Sequence, residues 1–419
     1  MPDPKHSRIA DVRVTPIAFY DPPLLNNAGC HQPFALRSVI EVETDAGVIG
    51  LGESYGTGSI VDGIGALAPH LRGLHVTDLN GLWARAQVAL DDAAEGYNTG
   101  AGSRLLRVAG AVEVAMWDAW GKTTGQRVCD LLGGQVRERV PFSAYLFYKF
   151  ANHQHEAHPD VWGEVLTPEQ LVEEARRMIG LYGFDAIKLK AGILPPEEEI
   201  AGMEALRAAF PDAPLRIDPN GGWTVETTLR LLPRLEGLIE YLEDPTVGIE
   251  GNARVQAATD IPLATNMYVV QPAHLPPNMA QDAFRVILSD HHYWGGLRAS
   301  RELARVCEIW GLGLSMHSNS HLGISLAAMT HLAAATPNLT YDCDTHYPWQ
   351  TDEVIEGGPL PFEGGTLAVP DGPGLGVTLD REQLARLHRN YLDCGYTVRD
   401  DQTELRKYWP DWSFERPRF

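Results

Sequence analysis

Phe184-Asp185-Ala186-Ile187-Lys188-Leu189-Lys190 alternates apolar and charged residues with a period of two, the pattern of a β-strand. Ile187 and Leu189 share one face, and Lys188 and Lys190 share the other. Two lysines on one strand face repel each other, and burial adds a desolvation cost. The pair therefore predicts anionic groups opposite it and a lysine pKa lowered toward that of a usable base. Taken alone, the same pattern also fits a solvated sheet face.

The neighbouring sequence repeats this theme. Short apolar runs alternate with amphipathic helical stretches from about residue 138 onward. The first run is Val140 to Phe147. Thr167-Pro168-Glu169-Gln170 then predicts a helix opened by a capping box with proline in its first turn, and Gly183 closes it. Further runs are Leu215-Arg216-Ile217, Ile239 to Leu242, Pro262-Leu263-Ala264, Val286-Ile287-Leu288, Leu312 to Ser315 and Leu339-Thr340-Tyr341. Repeated strand–helix units of this length predict an α/β fold with a parallel sheet and crossover helices, and eight such units close a barrel.

A polar residue capable of chemistry stands at the C-terminal end of each strand from the second onward. The series is Lys188/Lys190, Asp218, Glu243, Asn266, Asp290, His317 and Asp344/His346. Singly, Asp218 and Asn220 fit a turn before Gly221-Gly222, and His317 fits a core histidine. Jointly they mark the C-terminal face of a barrel, where such folds keep their chemistry. Asp218, Glu243 and Asn266 are three hard oxygen donors on successive strands, a set suited to Mg2+ with positions open for substrate and water. Lys188 and Lys190 stand to one side of that set. Asp290 and His317 stand to the other, an Asp beside a His fixing its tautomer. A base on either face of a metal-bound carboxylate suits proton abstraction α to that carboxylate, followed by loss of a β-hydroxyl as water.

The first third has a different style. Residues 9–56 predict antiparallel strands, with Asp45-Ala46-Gly47 as a turn and a Pro/Asn/Gly-rich loop from Asp21 to Pro33. A loop of that length fits either a lid or a plain surface connection. Residues 60–132 predict helices, with Met116, Trp117 and Trp120 as core. The net charge of −21 argues against non-specific nucleic-acid binding. The N-terminus shows no signal-peptide h-region, and no apolar run reaches membrane-spanning length. Five scattered cysteines without C-x-x-C spacing suggest a reducing, cytoplasmic compartment. A homo-oligomer is the base-rate expectation.

Several motifs resemble the enolase superfamily, and within it the glucarate dehydratase family. They are Ile187 to Lys190, Arg216 to Trp223, Tyr241 to Pro245, Pro262 to Met267, Asp290 to Trp294, Met316 to His321, Asp344-Thr345-His346, Gly374 to Val377 and Arg399-Asp400-Asp401. The resemblance implies a modified TIM barrel, (β/α)7β, over residues 136–370. It implies an α+β capping domain over 1–135, with a substrate-covering loop near 20–35, and a C-terminal segment, 371–419, that returns to the cap. It implies that Lys190 is the base for one epimer, and that His317, paired with Asp290, is the base for the other and the acid for the departing hydroxyl. Lys188 and Asn220 would stabilise the enolate. Asn27, His31, Tyr145, Asn319, His346 and Arg399 would bind a diacid sugar, with Arg399 as the clamp for its distal carboxylate. The reaction implied is dehydration of D-glucarate to 5-dehydro-4-deoxy-D-glucarate with Mg2+, L-idarate serving as a second substrate. The alternatives are another hexarate such as galactarate, an acid-sugar racemase or epimerase, and a non-catalytic sugar-acid-binding relative. Three features depart from the family pattern: Ser103-Arg104-Leu105-Leu106 lacks a substrate-binding threonine, His291 stands in place of a proline, and Gln154 to Glu164 forms an acidic insertion. They bear on which diacid is bound.

Overall fold

The computed structural model describes residues 7–90, 103–154 and 160–419. Residues 1–6, on which the expectation of no signal peptide largely rests, and residues 155–159 of the acidic insertion lie outside them. No helix among the described residues is long and apolar enough to cross a membrane.

The N-terminal third opens as an antiparallel meander of the strands Ile9–Tyr20, Phe34–Thr44 and Ile49–Tyr55. The helices Gly58–Leu71, Leu79–Ala89, Arg104–Thr124 and Val128–Leu131 follow. The long helix Arg104–Thr124 packs on the last strand at close range. A Cβ on Gly50 would overlap its Ala115 carbonyl, so only glycine fits there. Met116 and Trp117 are buried, and Trp120 stacks on Trp117 with ring centroids 4.9 Å apart. The Asp21–Pro33 segment is not a plain surface connection. Every residue in it is buried, and its centre folds into a small hairpin pairing Leu25–Asn26 with Gly29–Cys30.

The second part is a seven-stranded parallel sheet with strands in sequential order: Ser143–Phe147, Ala186–Lys190, Leu215–Asp218, Tyr241–Glu243, Leu263–Thr265, Val286–Ser289 and Gly313–Met316. Two sequence expectations need correction. The run Val140 to Phe147 splits, because Arg139–Pro141 pairs antiparallel with Thr366–Ala368 and only Ser143 onward joins the barrel. Leu339 to Tyr341 is not a strand. The ring closes at Cys343, which bonds through its N–H to Pro141 O (3.0 Å) and through its carbonyl to Ser143 N (2.9 Å), while Asp344 N bonds to Met316 O (2.9 Å). Two consecutive residues, Cys343 and Asp344, thus bridge the first and seventh strands, and the barrel has seven full strands closed by a short bridge in place of an eighth.

The helix Pro168–Tyr182 begins with the reciprocal Thr167/Gln170 capping box that the sequence predicts. The chain then returns to the N-terminal part. The helix Arg381–Asp393 packs on Ile9–Tyr20, and His388 Nδ1 donates to Pro16 O at 2.7 Å.

One buried carboxylate ties the two parts together. Glu113, on the long N-terminal helix, accepts from Leu297 N (2.7 Å), Arg298 N (3.1 Å) and Trp117 Nε1 (2.9 Å). It therefore caps the barrel helix Gly296–Trp310, whose first N–H groups have no intrahelical partner. Burial pushes its carboxyl up to about 7, against the pull of those three hydrogen bonds. A methyl group on Gly296 would overlap this carboxylate. Glu113→Ala leaves two buried donors and one half-buried donor unpaired, and each buried one costs roughly 1–3 kcal/mol. The expected loss in urea-unfolding free energy is at least about 2 kcal/mol, and a loss below about 0.5 kcal/mol would contradict this account of the docking.

Candidate active site

The barrel fold places the polar strand-end residues on one side because each occupies the last position of its strand or the first beyond it. Lys190 and Asp218 are direct register partners on adjacent strands. Lys190 Nζ donates to Asp218 Oδ2 at 2.6 Å and to Asn220 Oδ1 at 3.1 Å. Asn220 reaches this position with φ 57°, a left-handed conformation that Asn tolerates. Its backbone N–H returns a 2.9 Å bond to Asp218 Oδ1.

Lys188 is fully buried one turn of the pleat deeper. Its Nζ donates to Asp344 Oδ2 at 2.5 Å, lies 2.6 Å from Glu243 Oε2 and sits 4.7 Å from the centre of the Tyr145 ring. The expected anions are present. The expected lowering of its pKa is not: burial does pull it down, but Asp344 and Glu243 outweigh burial and hold Lys188 well above the usual lysine range. Asp344, noted in the sequence only as a strand-end residue, is the buried counter-ion of Lys188.

Four buried carboxylates (Asp218, Glu243, Asp244 and Asp344) surround these two ammonium groups. Glu243 Oε2 has the Lys188 ammonium beside it, whereas Glu243 Oε1, Asp244 Oδ1 and Asp344 Oδ1 lack a donor among the described residues. Burial and the neighbouring Asp218 push the Glu243 carboxyl well up and the Asp244 carboxyl to about 7. A divalent cation fits this set. It would balance the excess negative charge and satisfy the orphaned oxygens, and all the donors are the hard oxygens that Mg2+ takes. Asp218, Glu243 and Asn266 would hold it. The Asn266 side chain faces the cavity, with its backbone N–H bonded to Asp244 Oδ2 at 2.9 Å.

On the far side, His317 Nδ1 lies 2.9 Å from Asp290 Oδ2. A carboxylate only accepts, so this nitrogen carries the proton and Nε2 is left as the basic atom. Burial works against ionising Asp290, but the hydrogen bonds from His292 and His317 outweigh it, so its pKa is held well below the usual carboxylate range.

Above these groups lies a cavity of about 310 Å³. Lys190, Asn220, Asn266, His317, Asn319, His346, Tyr145, His31 and Arg399 line it. Lys188, Asp218, Glu243 and Asp290 are not part of the lining and contact it from behind. His31 is oriented by Asp21 (2.9 Å), and its ring stacks on that of His346 at 6.4 Å. Burial holds His346 well below the usual histidine range. Two residues are placed differently from expectation. Asn27 does not line the cavity; its amide contacts Gly192 O (3.4 Å) and Arg416 Nε (3.2 Å), and Asn26 lines the wall instead. Arg399 does line it, but its fork is engaged by Asp401 through two bonds of 2.7 and 2.6 Å.

Sequence reasoning missed Arg37, Tyr55 and Arg107 in the lining, all from the N-terminal part. Nothing local marks them, because Arg37 and Tyr55 on the meander strands and Arg107 on the long helix become site residues only through docking. A larger surface groove of about 720 Å³, near Trp117, Trp120 and Arg301, carries none of these side chains.

Residues 27–133 match the mandelate racemase / muconate lactonizing enzyme N-terminal domain, and residues 170–383 match the enolase C-terminal domain-like family. The chain belongs to the enolase superfamily. A probable glucarate dehydratase of Streptomyces coelicolor is 49% identical over 96% of this chain and 97% of its own. An enolase of Gibberella zeae, solved with magnesium, formate and sulfate, is 51% identical with a TM-score of 0.96, covering 99% of this chain and 98% of its own. An enolase of Pseudomonas fluorescens, solved with magnesium, potassium and tartrate, is 50% identical with a TM-score of 0.95, covering 98% of this chain and 99% of its own. The present chain is a lyase of this superfamily, similar to that probable glucarate dehydratase.

Asp218→Ala is expected to abolish Mg2+ binding in isothermal calorimetry. Undiminished binding would refute the proposed ligand set.

Proposed function

We propose that the chain is a Mg2+-dependent hydro-lyase converting D-glucarate to 5-dehydro-4-deoxy-D-glucarate and water, with L-idarate as a second substrate. The observation that carries this reading is the pair of candidate bases, Lys190 and His317, facing one cavity from strands on either side of an oxygen-donor cluster. Bound Mg2+ would supply Lewis-acid stabilisation of the developing enolate.

The side chains supply the rest. For one epimer, the Lys190 amine takes the proton α to the proximal carboxylate. The electron pair moves into the carboxylate to form an enolate, with the Lys188 ammonium and the Asn220 amide near the developing charge. The β-hydroxyl then leaves with its bonding pair, protonated by Nε2–H of His317, which enters this route as the imidazolium, and departs as water. The resulting enol tautomerises to the ketone. For the opposite epimer, His317 Nε2 takes the α-proton and passes it to the departing hydroxyl. Asp290 steadies the imidazolium in both routes.

Tyr145, His31, Asn319 and His346 surround the polyol on this reading, and Arg399 binds the distal carboxylate by exchanging one of its bonds to Asp401. Asn26 is a better candidate than Asn27 for the contact near the loop. The Mg2+ in the two 50–51% identical relatives, and the hydroxy diacid tartrate in one of them, support the metal and the substrate class. The reading also divides the chain into a cap (1–135), a barrel (136–370) and a C-terminal segment (371–419), and it places the protein in the cytoplasm, in keeping with five unpaired cysteines.

Proton NMR in D2O with Mg2+ and D-glucarate, L-idarate or galactarate tests this. A dehydrated keto-deoxy diacid from D-glucarate is expected. Deuterium exchange or epimer formation without dehydration would make the protein a racemase instead. In Lys190→Ala, α-proton exchange of one epimer should disappear while that of the other survives, and equal loss on both would sink the two-base assignment.

A further inference from the structure

Asp290 is shared. Its Oδ2 meets His317, and its Oδ1 accepts from His292 twice: from the ring Nδ1 at 2.6 Å and from the backbone N–H at 2.8 Å. On the other edge of that ring, Nε2 lies 2.8 Å from Arg37 Nη2 and 2.8 Å from the Ser325 hydroxyl. A guanidinium only donates, so His292 Nε2 must accept. A carboxylate only accepts, so His292 Nδ1 must donate. Both edges therefore require one state of the ring: neutral, with the proton on Nδ1.

Arg37 is itself held with almost no freedom. It is 1% exposed. Its Nε donates to Glu53 Oε1 at 3.0 Å, and its Nη1 donates to Asn319 Oδ1 at 3.2 Å. Glu53 also accepts from Leu322 N and Ser325 N, each at 2.9 Å, at the start of the barrel helix Gly323–Ala334. The amide of Asn319 is fixed at its other end, where Nδ2 donates to Tyr55 Oη at 2.7 Å. Arg37, Glu53 and Tyr55 all come from the N-terminal meander, whereas His292, Asp290, His317 and Asn319 all come from the barrel.

We propose that Arg37 and His292 are positioning residues that act through Asp290 and Asn319. By forcing the Nδ1–H form of His292, they orient the Asp290 carboxylate, hold His317 with its basic Nε2 toward the cavity, and aim the Asn319 amide at the substrate. This rests on the two-base reading above and extends it: the histidine base is competent only when the N-terminal part is docked, whereas Lys190, held within the barrel by Asp218 and Asn220, does not depend on Arg37.

The test uses the full chain with Mg2+, 15N-labelled at histidine, with ring tautomers read by long-range 1H–15N correlation and α-deuterium exchange measured on each epimer. Wild type should show His292 and His317 as Nδ1–H tautomers. Arg37→Met should give mixed tautomers at His292. It should also lower kcat for the His317-dependent epimer by at least about tenfold more than it lowers Lys190-dependent exchange, any loss through Asn319 being shared by both epimers. His292→Leu should show the same selective loss. His292→Asn, which keeps an N–H donor near Asp290 Oδ1, should recover most of it. If Arg37→Met does not fold, the His292 pair carries the comparison. An unchanged His292 tautomer in Arg37→Met, or equal losses on both epimers in the His292 variants, overturns the proposal. If wild type exchanges neither epimer, the two-base reading fails, and the ring tautomers still decide whether Arg37 sets His292.

Discussion

Matching of buried charge is the constraint on which the rest of this structure depends. Two ammonium groups and four carboxylates sit at the barrel mouth, all out of bulk water. A buried charge left without a partner costs several kcal/mol, roughly 3–5 when one member of a pair is removed. The sheet register answers this directly. Lys190 pairs with Asp218 across adjacent strands, and Lys188 reaches Asp344 beside the closing residue Cys343. The barrel must therefore close in one register, since a slip of one residue would turn every lysine and carboxylate to the opposite face.

The second constraint is exclusion of water. The Asp21–Pro33 segment is buried along its whole length, and the C-terminal segment holds it down through the bond from Asn26 Nδ2 to Asp401 Oδ2 at 2.9 Å. Asp401 also engages Arg399, so one carboxylate joins loop, tail and cavity wall. Shielding from bulk solvent strengthens electrostatic interactions inside the cavity, as the enolate chemistry proposed above would require. Glu113 and Glu53 serve the docking in a common way. Each is a carboxylate from the N-terminal part placed at the start of a barrel helix, where unpaired N–H groups favour an anion. The same docking brings Arg37 to His292.

The strand–helix repeat, the strand-end series from Lys188 to His346 and the oxygen-donor set were legible in the chain, because periods of two and 3.6 are local properties and a parallel barrel gathers all strand ends on one face. The Thr167 capping box was legible for the same reason. What the chain did not reveal depends on contacts between segments far apart in sequence. Leu339–Tyr341 has a strand's composition, yet Thr340 and Tyr341 both donate to the single carbonyl of Leu314 instead of stepping along the seventh strand, and closure falls to the backbone of Cys343 and Asp344. The lysine pair implied a lowered pKa because repulsion between the two is visible in sequence, while the counter-charges of Asp344 and Glu243 become decisive only after folding. Asn26 and Asn27 are equivalent by type, and the hairpin geometry alone chose which faces the cavity. Arg37, 255 residues from His292, carries no local mark. Residue pattern decided the fold and the kind of chemistry. Which side chain pairs with which, and in what protonation state, was decided by tertiary packing, because electrostatic partners are chosen by distance in space.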